Sequence, residues 1–355
     1  DAVTLTVLGL DGKEISSVLY AKGAAVTTEL PELNNYNGKV LNLVHNGWEE
    51  TLPEIITENF TAKPTYTVVK NISGVRVNLS IYSDFNVNLY IPVALKDYLV
   101  SGEDSLAYTE VDTDGDGVKE SIKFVIEIGC DEATEDAVFA LSFTELGETV
   151  SATYTISIAD YAKAIFDGDY TAEDDKLMYY MIAYATEAAE YFGKDTAELD
   201  SLLAYLSSAK DSVSHDFEKA VNNVKLGEAF SSATVGLKSA PEFVLTLKSG
   251  FIGTVTVTYG ENVRTYEIGE GHSGEIIVSG MKVYNFGSTL VINAEGTVNG
   301  EQVKTENAEY NLDTFVKYHA TNAVSGSETA AESAKCLDLL LAFYDYVTVA
   351  DAYTK

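Results

Sequence analysis

Apolar side chains alternate with polar ones along many stretches of the chain, the spacing of half-buried β-strands. Two such stretches, residues 75–93 and 242–258, align at a constant offset of 166 residues. The aligned apolar pairs are Val77/Phe243, Leu79/Leu245, Ile81/Leu247, Phe85/Phe251, Leu89/Val255 and Ile91/Val257. The pattern predicts that one β-rich unit occurs twice in the chain.

Helical spacing follows each of the two stretches. Residues 153–166 resemble 308–320, and residues 175–192 resemble 334–351, so each β lobe is expected to lead into a pair of helices. Four helical segments are predicted between the lobes: Ile158–Phe166, Glu173–Phe192, Asp200–Ser208 and His215–Val224. The predicted fold class is therefore α+β, with a β-sandwich lobe and a helical pair that are duplicated.

The predicted division of the chain has five segments. They are a β-grasp-like N-terminal module (1–69), a first β lobe (70–158), a helical segment (159–225), a second β lobe (226–310) and a C-terminal helical pair (311–355). A chain of 355 residues exceeds one typical hydrophobic core, so several compact parts are expected.

The net charge of −32 changes the range of partners to consider. Nucleic acids and anionic membrane surfaces need a basic protein face, so neither is expected as a partner. No apolar run reaches the ~20 residues of a membrane span, and membrane insertion is not expected either. No signal peptide is recognisable, which favours a mature or trimmed piece of a longer protein. Cys130 and Cys336 are expected to be two separate buried thiols.

An acidic loop is the sharpest local motif. Asp112, Asp114 and Asp116 alternate with Thr and Gly, and Glu120 follows, which is the oxygen spacing that calcium prefers. The twelfth position holds Lys123 where an EF-hand loop has Glu, and strands flank the loop. Two interpretations stay open: a β-hairpin calcium loop, and a solvated acidic hairpin without an ion.

Catalytic motifs are not recognisable in the sequence. The four histidines do not stand at metal-ligand spacing, and no nucleophile elbow, zinc-protease or P-loop motif occurs. The chain is therefore expected not to be an enzyme, with a hydrolase as the least supported alternative.

Tyrosine, with 23 residues, offers the remaining candidate chemistry, because its ring stacks on sugar faces and its hydroxyl forms hydrogen bonds. Strand alternation puts Arg76, Asn78, Tyr82, Asn88 and Tyr90 on one predicted polar face. The candidate carbohydrate-binding residues are Arg76, Tyr82, Asn88, Tyr90, Tyr180, Tyr284 and Phe286. For each of them, packing between sheet and helices is the competing interpretation.

The N-terminal fifth of the chain resembles the internalin-type (Listeria–Bacteroides) repeat of bacterial surface proteins. The matching parts are a strand–turn–strand with Asp11-Gly12-Lys13, the stretch Gly23–Ala25, the pair Gly47-Trp48 and the closing run Ile56–Thr61. This resemblance implies a β-grasp-like module, an extracellular setting and a core position for Trp48. Residues 34–46 depart from the pattern of the family.

Residues 155–165 and 184–193 resemble a module of large secreted proteins from gut Clostridia and Ruminococci. The bilobed starch-binding modules of Ruminococcus amylosomes, the starch adherence system proteins, are the family suggested by this resemblance. It implies a non-catalytic protein, extracellular or on the cell surface, that binds α-1,4-glucan (starch or maltooligosaccharide) on a surface shared by two lobes. The alternative is a structural or adhesion module of a large cell-surface protein, with other proteins of a surface complex as partners.

Overall fold

A computed structural model describes residues 1–81, 85–100, 106–237, 241–324 and 330–354, apart from the side chains of Ile81 and Glu332. Its strands are β1 (Ala2–Leu8), β2 (Glu14–Ala21), β3 (Ala24–Ala25), β4 (Tyr36–Asn37), β5 (Leu41–Trp48), β6 (Ile55–Ile56), β7 (Phe60–Ala62), β8 (Pro64–Lys70), β9 (Arg76–Ile81), β10 (Phe85–Pro92), β11 (Tyr108–Val111), β12 (Ser121–Ile128), β13 (Ala137–Glu145), β14 (Glu148–Ile156), β15 (Phe230–Gly236), β16 (Glu242–Leu247), β17 (Phe251–Tyr259), β18 (Asn262–Ile268), β19 (Glu275–Val278), β20 (Leu290–Val298) and β21 (Glu301–Tyr310). The helices are α1 (Ile158–Asp167), α2 (Ala172–Tyr191), α3 (Ala197–Tyr205), α4 (Leu312–Ala323) and α5 (Ala330–Tyr353), with 3-10 turns at Val93–Tyr98, Leu206–Ala209 and Val283–Gly287. The fold is mixed α+β, as predicted, and most of its elements are strands.

The strands form several small sheets. Their strand orders are β2-β1-β7, β3-β6, β4-β5-β8, β11-β12-β10-β9, β13-β14, β15-β16-β19 and β18-β17-β20-β21. The chain divides into two compact units, the first made of Asp1–Val77, Leu89–Val125 and Val138–Thr155, and the second of Asn78–Asn88, Ile126–Ala137 and Ile156–Lys355. In the described part of the chain, none of the helices combines the length and the apolarity that crossing a bilayer requires.

The first unit begins with the predicted hairpin. β1 pairs with β2 in antiparallel fashion, and Gly12 takes a positive φ of 72° in the turn between them. β7 then pairs with β1 in parallel. Trp48, for which the family resemblance implies a core position, is only half-buried, and its ring meets that of His45 at a centroid distance of 5.6 Å.

The buried carboxylate of Glu145 binds residues within 34–46, the segment that departs from the internalin-type pattern. Glu145, only 6% exposed, accepts hydrogen bonds from the Tyr36 hydroxyl (3.0 Å) and from the backbone N–H groups of Lys39 and Val40 (both 3.1 Å). A Cβ at Gly38 would overlap the Glu145 carboxylate and would approach the Leu41 carbonyl oxygen at 2.6 Å, so this position accepts only glycine. The local shape of residues 34–46 thus depends on a residue about a hundred positions away.

Aromatic side chains form a continuous series through the core of the second unit. Phe243 stacks on Phe286 (5.0 Å between ring centroids), Phe286 meets Phe343 edge-on (5.1 Å), and Phe343 contacts Tyr184 (5.1 Å). Tyr184 in turn meets Phe85 at 6.2 Å. All five rings are almost completely buried. The series connects β16, a 3-10 turn, α5, α2 and the start of β10.

The helical pairs follow the last strand of each lobe, as predicted. α1 starts directly after β14 with Ser157 as its N-cap, whose hydroxyl accepts from the N–H of Asp160. α4 starts directly after β21 with Asn311 in the same role, accepting from the N–H of Thr314. Cys130 and Cys336, predicted as two separate buried thiols, are both buried and are not joined in a disulfide.

The duplicated hairpin differs between the two copies. β9 and β10 are neighbours in one sheet, whereas β16 and β17 lie in different sheets. The reason is that β15 and β19 occupy both edges of β16, which leaves no edge for β17. The aligned apolar residues of β10 and β17 are nevertheless all buried.

The predicted helix at His215–Val224 is wrong. Residues 210–229, called the strap below, contain neither helix nor strand, and Phe217 and Asn223 adopt positive φ values of 49° and 59°. Side chains at the start of α4 bind the strap backbone instead. Asp313 Oδ2 accepts from the N–H of Lys219 (3.2 Å), and Asn311 Nδ2 donates to the Lys219 carbonyl oxygen (2.7 Å).

We expect Glu145→Gln to lower the free energy of unfolding by about 2 kcal/mol at neutral pH, because buried N–H donors lose a charged acceptor. Burial acts to raise the pKa of Glu145, but the N–H groups of Val40 and Lys39 outweigh it and hold this pKa below its usual value. The carboxylate therefore stabilises the fold above its unfolded-state pKa of about 4.3, and this stabilisation disappears as pH falls through the folded-state pKa.

Urea unfolding of wild type and variant between pH 7 and pH 3 checks this expectation, since the difference should shrink towards acid pH. Glu148→Gln is the control, because Glu148 accepts a hydrogen bond from the Tyr66 hydroxyl (2.8 Å) and holds no comparable turn. A difference that stays constant over the pH range would contradict the role assigned to Glu145.

Candidate functional site

The predicted aromatic face of the first lobe brings Tyr90 together with two cations. The Arg76 guanidinium lies 5.5 Å and the Lys123 ammonium 5.9 Å from the centroid of the Tyr90 ring. Arg76 also donates to Ser121 Oγ at 3.4 Å. Tyr90 is half-buried, so part of its ring is accessible, but both cations compete with a ligand for the ring faces.

Asn88 lies on the predicted polar face but does not reach the surface. It is fully buried, and its Nδ2 donates to Asn78 Oδ1 (3.0 Å) and to Ser80 Oγ (2.9 Å). These bonds confirm that Asn78, Ser80 and Asn88 share one face of the β9–β10 pair. The burial of Asn88 removes it from the candidate ligand contacts.

Two further candidates are corrected in the same way. Tyr180 is 4% exposed, and its hydroxyl donates to the Asp211 carbonyl oxygen, so it fastens the strap to α2. Phe286 is completely buried in the aromatic series of the second unit. Both side chains therefore serve packing, which was the alternative to carbohydrate binding. Tyr82 lies outside the described residues.

Tyr284 is the sequence-predicted candidate that lies in an open cleft. The cleft has a volume of about 470 Å³ and is formed by the β17–β18 connection and the chain from Gly280 to Asn285. Tyr284 is half-buried, and the Lys282 ammonium lies 5.7 Å from its ring centroid. The amide side chains of Asn262 and Asn285 also line the cleft. An aromatic ring, amides and cations therefore converge on one space.

The opposite wall comes from the β17–β18 hairpin. Tyr259 pairs with Asn262 across a two-residue connection in which Gly260 has a positive φ of 54°. Arg264 pairs with Val257, so it stands diagonally across from Tyr259 on the same face. The Arg264 guanidinium lies 5.4 Å from the Tyr259 ring centroid and donates to the Ser279 carbonyl oxygen at 2.6 Å.

Burial and charge determine the state of these groups. Burial raises the pKa of the Tyr259 hydroxyl, and the neighbouring Arg264 opposes this shift only in part. Tyr259 is thus a neutral phenol at physiological pH, able to donate and accept hydrogen bonds. The described lining of the cleft carries two cations, Arg264 and Lys282, and one carboxylate, Glu261. The cleft is therefore locally basic in a strongly acidic chain.

Sequence reasoning predicted Tyr284 but missed Tyr259 and Arg264. The signal was present: Gly260-Glu261 separates the alternating runs VTVTY and NVRTYEI, a pattern typical of a tight hairpin. The hairpin register would then have placed Arg264 beside Tyr259. The approach of residues 280–285 to this hairpin could not be read from strand alternation.

The acidic loop connects two antiparallel strands, as predicted, with Val111 of β11 opposite Ser121 of β12. Asp112 accepts hydrogen bonds from the N–H groups of Gly115 (2.6 Å) and Gly117 (2.7 Å), which shape the loop. These N–H groups, Gly117 first, hold the pKa of Asp112 below its usual value. The carboxylate is therefore ionised at neutral pH.

Four carboxylates of this loop come close enough to share an ion. Single oxygens of Asp112, Asp114, Asp116 and Glu120 lie within 4.8 Å of one another, and all four side chains are partly or fully exposed. Glu120 Oε2 already accepts from the Thr113 N–H (2.9 Å), and Asp116 Oδ1 accepts from the Val118 N–H (2.8 Å). Carboxylate oxygens are ligands suited to Ca²⁺.

Comparison with known proteins adds no further constraint. No family model, no curated protein and no solved structure matches this chain.

The burial of Phe286 and the exposure of Tyr284 lead to opposite expectations for two neighbouring aromatics. Phe286→Ala should lower the free energy of unfolding by about 4 kcal/mol, because it opens a cavity in the aromatic series. Tyr284→Ala should cost at most about 1 kcal/mol, since its ring lies at the cleft. Urea unfolding followed by circular dichroism compares the two. Similar losses of unfolding free energy in the two variants would show that Tyr284 does not lie at the cleft.

Proposed function

We propose that the chain is a non-catalytic, extracellular carbohydrate-binding protein whose ligand is α-1,4-glucan, as starch or maltooligosaccharide. The observation that supports this proposal is the cleft of Tyr259, Arg264 and Tyr284 with its two amide side chains. Glu261 is the one carboxylate among the described residues of the cleft, whereas glycoside hydrolysis uses two. Binding without cleavage is the function that this lining suits.

The chemistry of the cleft fits a sugar ring. The partly exposed face of Tyr284 offers apolar area to the C–H face of a glucose unit. The amides of Asn262 and Asn285 supply donors and acceptors for sugar hydroxyls, while Tyr259, only 3% exposed, forms the wall behind them. The ammonium of the exposed Lys282 lies 5.7 Å from the Tyr284 ring centroid and adds a hydrogen-bond donor beside the stacking position.

Affinity electrophoresis in gels with and without soluble starch tests the proposal. The wild-type chain should be retarded by starch, and Tyr284→Ala should lower the apparent affinity about tenfold, since stacking is lost. Tyr318→Ala is the matched control, because Tyr318 is a 56% exposed tyrosine on α4 and is not among the described lining residues of the cleft. A wild-type mobility unaffected by starch would refute glucan binding, and full retention by Tyr284→Ala would refute this cleft as its site.

We also propose that Asp112, Asp114, Asp116 and Glu120 bind Ca²⁺. Their four carboxylates repel one another, and a divalent cation at their centre would offset that repulsion. The ion would brace the β11–β12 connection and would take no part in sugar chemistry.

Calcium at saturating concentration should raise the thermal stability of the chain, by about 2.7 kcal/mol at a hundredfold excess over Kd. In Asp116→Asn the calcium effect should largely disappear, while the melting temperature in chelator should stay that of wild type, since the amide oxygen can still accept from Val118. Asp136→Asn, an exposed acid outside the loop, is the control. A melting curve that is identical in calcium and in chelator would contradict the metal site.

We also propose that the N-terminal module is β-grasp-like and that the second lobe is a β-sandwich. The parallel pairing of β7 with β1, beside the β1–β2 hairpin, supports a β-grasp-like module. The two sheets β15-β16-β19 and β18-β17-β20-β21 support a sandwich in the second lobe. We infer a relationship to the amylosome starch adherence proteins and to internalin-type repeats, and with it a place at the cell surface.

A structural or adhesion role is the second candidate, and one observation favours it. β2 is an edge strand of its sheet, and its residues Ile15 and Leu19 are 48% and 72% exposed. Open edges with apolar side chains can accept a strand from another protein of a surface complex. Absence of glucan binding in the electrophoresis above would leave this role as the better proposal.

A further inference from the structure

A second cavity of the second unit has a different chemistry from the cleft. Its volume is about 310 Å³, the lower end of the range for ligand pockets. Its walls are the strap around Phe217, the residue Gly287, the start of α4 and one face of α5. None of its described lining residues belongs to the Tyr259–Tyr284 cleft.

Two aromatic rings line part of this cavity. Phe217 and Tyr344 meet at 73° with 5.2 Å between their centroids, and both are half-buried. Burial raises the pKa of Tyr344 to about 12, with the nearby Asp313 adding to the shift, so its ring is that of a neutral phenol. Such rings attract cations to their faces.

The charges around the rings are mostly negative. Four lining residues carry carboxylates, namely Asp216, Glu218, Asp313 and Asp351. The one cation in the described lining is Lys219, whose ammonium donates to the Gly287 carbonyl oxygen at 3.0 Å and lies 4.0 Å from Asp351 Oδ2. The chain therefore already directs an ammonium group of its own to this cavity.

The arrangement suits an organic cation better than a metal ion. In the described part of the chain, the 112–120 loop is the one place where three or more acidic ligand atoms gather within reach of a single ion. The carboxylates of the cavity are spread around an aromatic and apolar surface that includes the buried side chains of Leu312 and Val347. An alkyl chain with a charged end matches both features.

We propose that this cavity binds an aliphatic ammonium group, with the alkyl part against Phe217, Tyr344 and Val347 and the charge among the carboxylates. The proposal is independent of glucan binding, because it uses different residues. It also gives Lys219 a role as an internal competitor that occupies part of the cavity when no amine is bound.

Titration with n-butylammonium, and with n-butanol as its neutral counterpart of similar shape, tests the proposal. Two-dimensional NMR of the full chain should show n-butylammonium shifting the amide signals of Val347 and Thr348 with saturation, while n-butanol binds at least about tenfold more weakly. Equal effects of the two compounds, no saturable shift, or shifts confined to other regions would each overturn the proposal.

Variants separate ligand binding from folding. Lys219→Met removes the competing ammonium and should tighten n-butylammonium binding about two- to fivefold, while the backbone bonds of Lys219 to Asp313 and Asn311 remain available. Tyr344→Phe should keep the affinity, and Tyr344→Leu should lower it about fivefold or more.

Tyr284→Ala, in the other cleft, should bind n-butylammonium like wild type even where it loses starch. An unchanged affinity in both Lys219→Met and Tyr344→Leu would show that the amine binds elsewhere.

Discussion

The aromatic series in the second unit is the constraint on which both of its clefts depend. Because Phe286 is held between Phe243 and Phe343, the 3-10 turn around it has a fixed rotation. Residues two apart in such a turn point in different directions, so Tyr284 is turned towards the cleft. Burial of Phe343 fixes the rotation of α5 in the same way, and the next residue, Tyr344, stands about 100° around the helix against the strap.

Carboxylates play an unexpected structural part in a chain with so many of them. Glu145 in the first unit and Asp313 in the second each accept backbone N–H groups of an irregular segment, residues 38–41 and the strap respectively. Asp112 does the same within its own loop. These segments lack helix or ladder partners for part of their backbone, and charged acceptors satisfy the N–H groups. Some of the acidic residues behind the net charge of −32 therefore stabilise particular backbone conformations, besides any contribution to solubility.

The elements with strong periodicity could be predicted, and the exposure of single side chains could not. The apolar stripe of α2 and the alternation of β10 and β17 gave correct elements, because burial of one face determines them. Alternation does not reveal whether the polar face is covered, and Asn88 is buried there. The part of the strap at His215–Val224 was predicted as a helix because its own composition permits one. The side chains that bind its backbone instead, Asn311 and Asp313, lie at the start of α4, about ninety residues later.

The two clefts of the second unit share an aromatic lining but differ in the charges around it. Arg264 and Lys282 lie beside the rings of the Tyr259–Tyr284 cleft, whereas four carboxylates line the cavity of Phe217 and Tyr344. The distant charges of the chain do not decide what binds in either, because interactions beyond about 8 Å are screened at physiological ionic strength. The groups within that distance therefore have to provide the selectivity. Asp216, Phe217 and Lys219 lie close together in the strap. Its irregular backbone, bound by the side chain of Asp313 in α4, presents all three to one cavity, whereas a helix would distribute them around its axis.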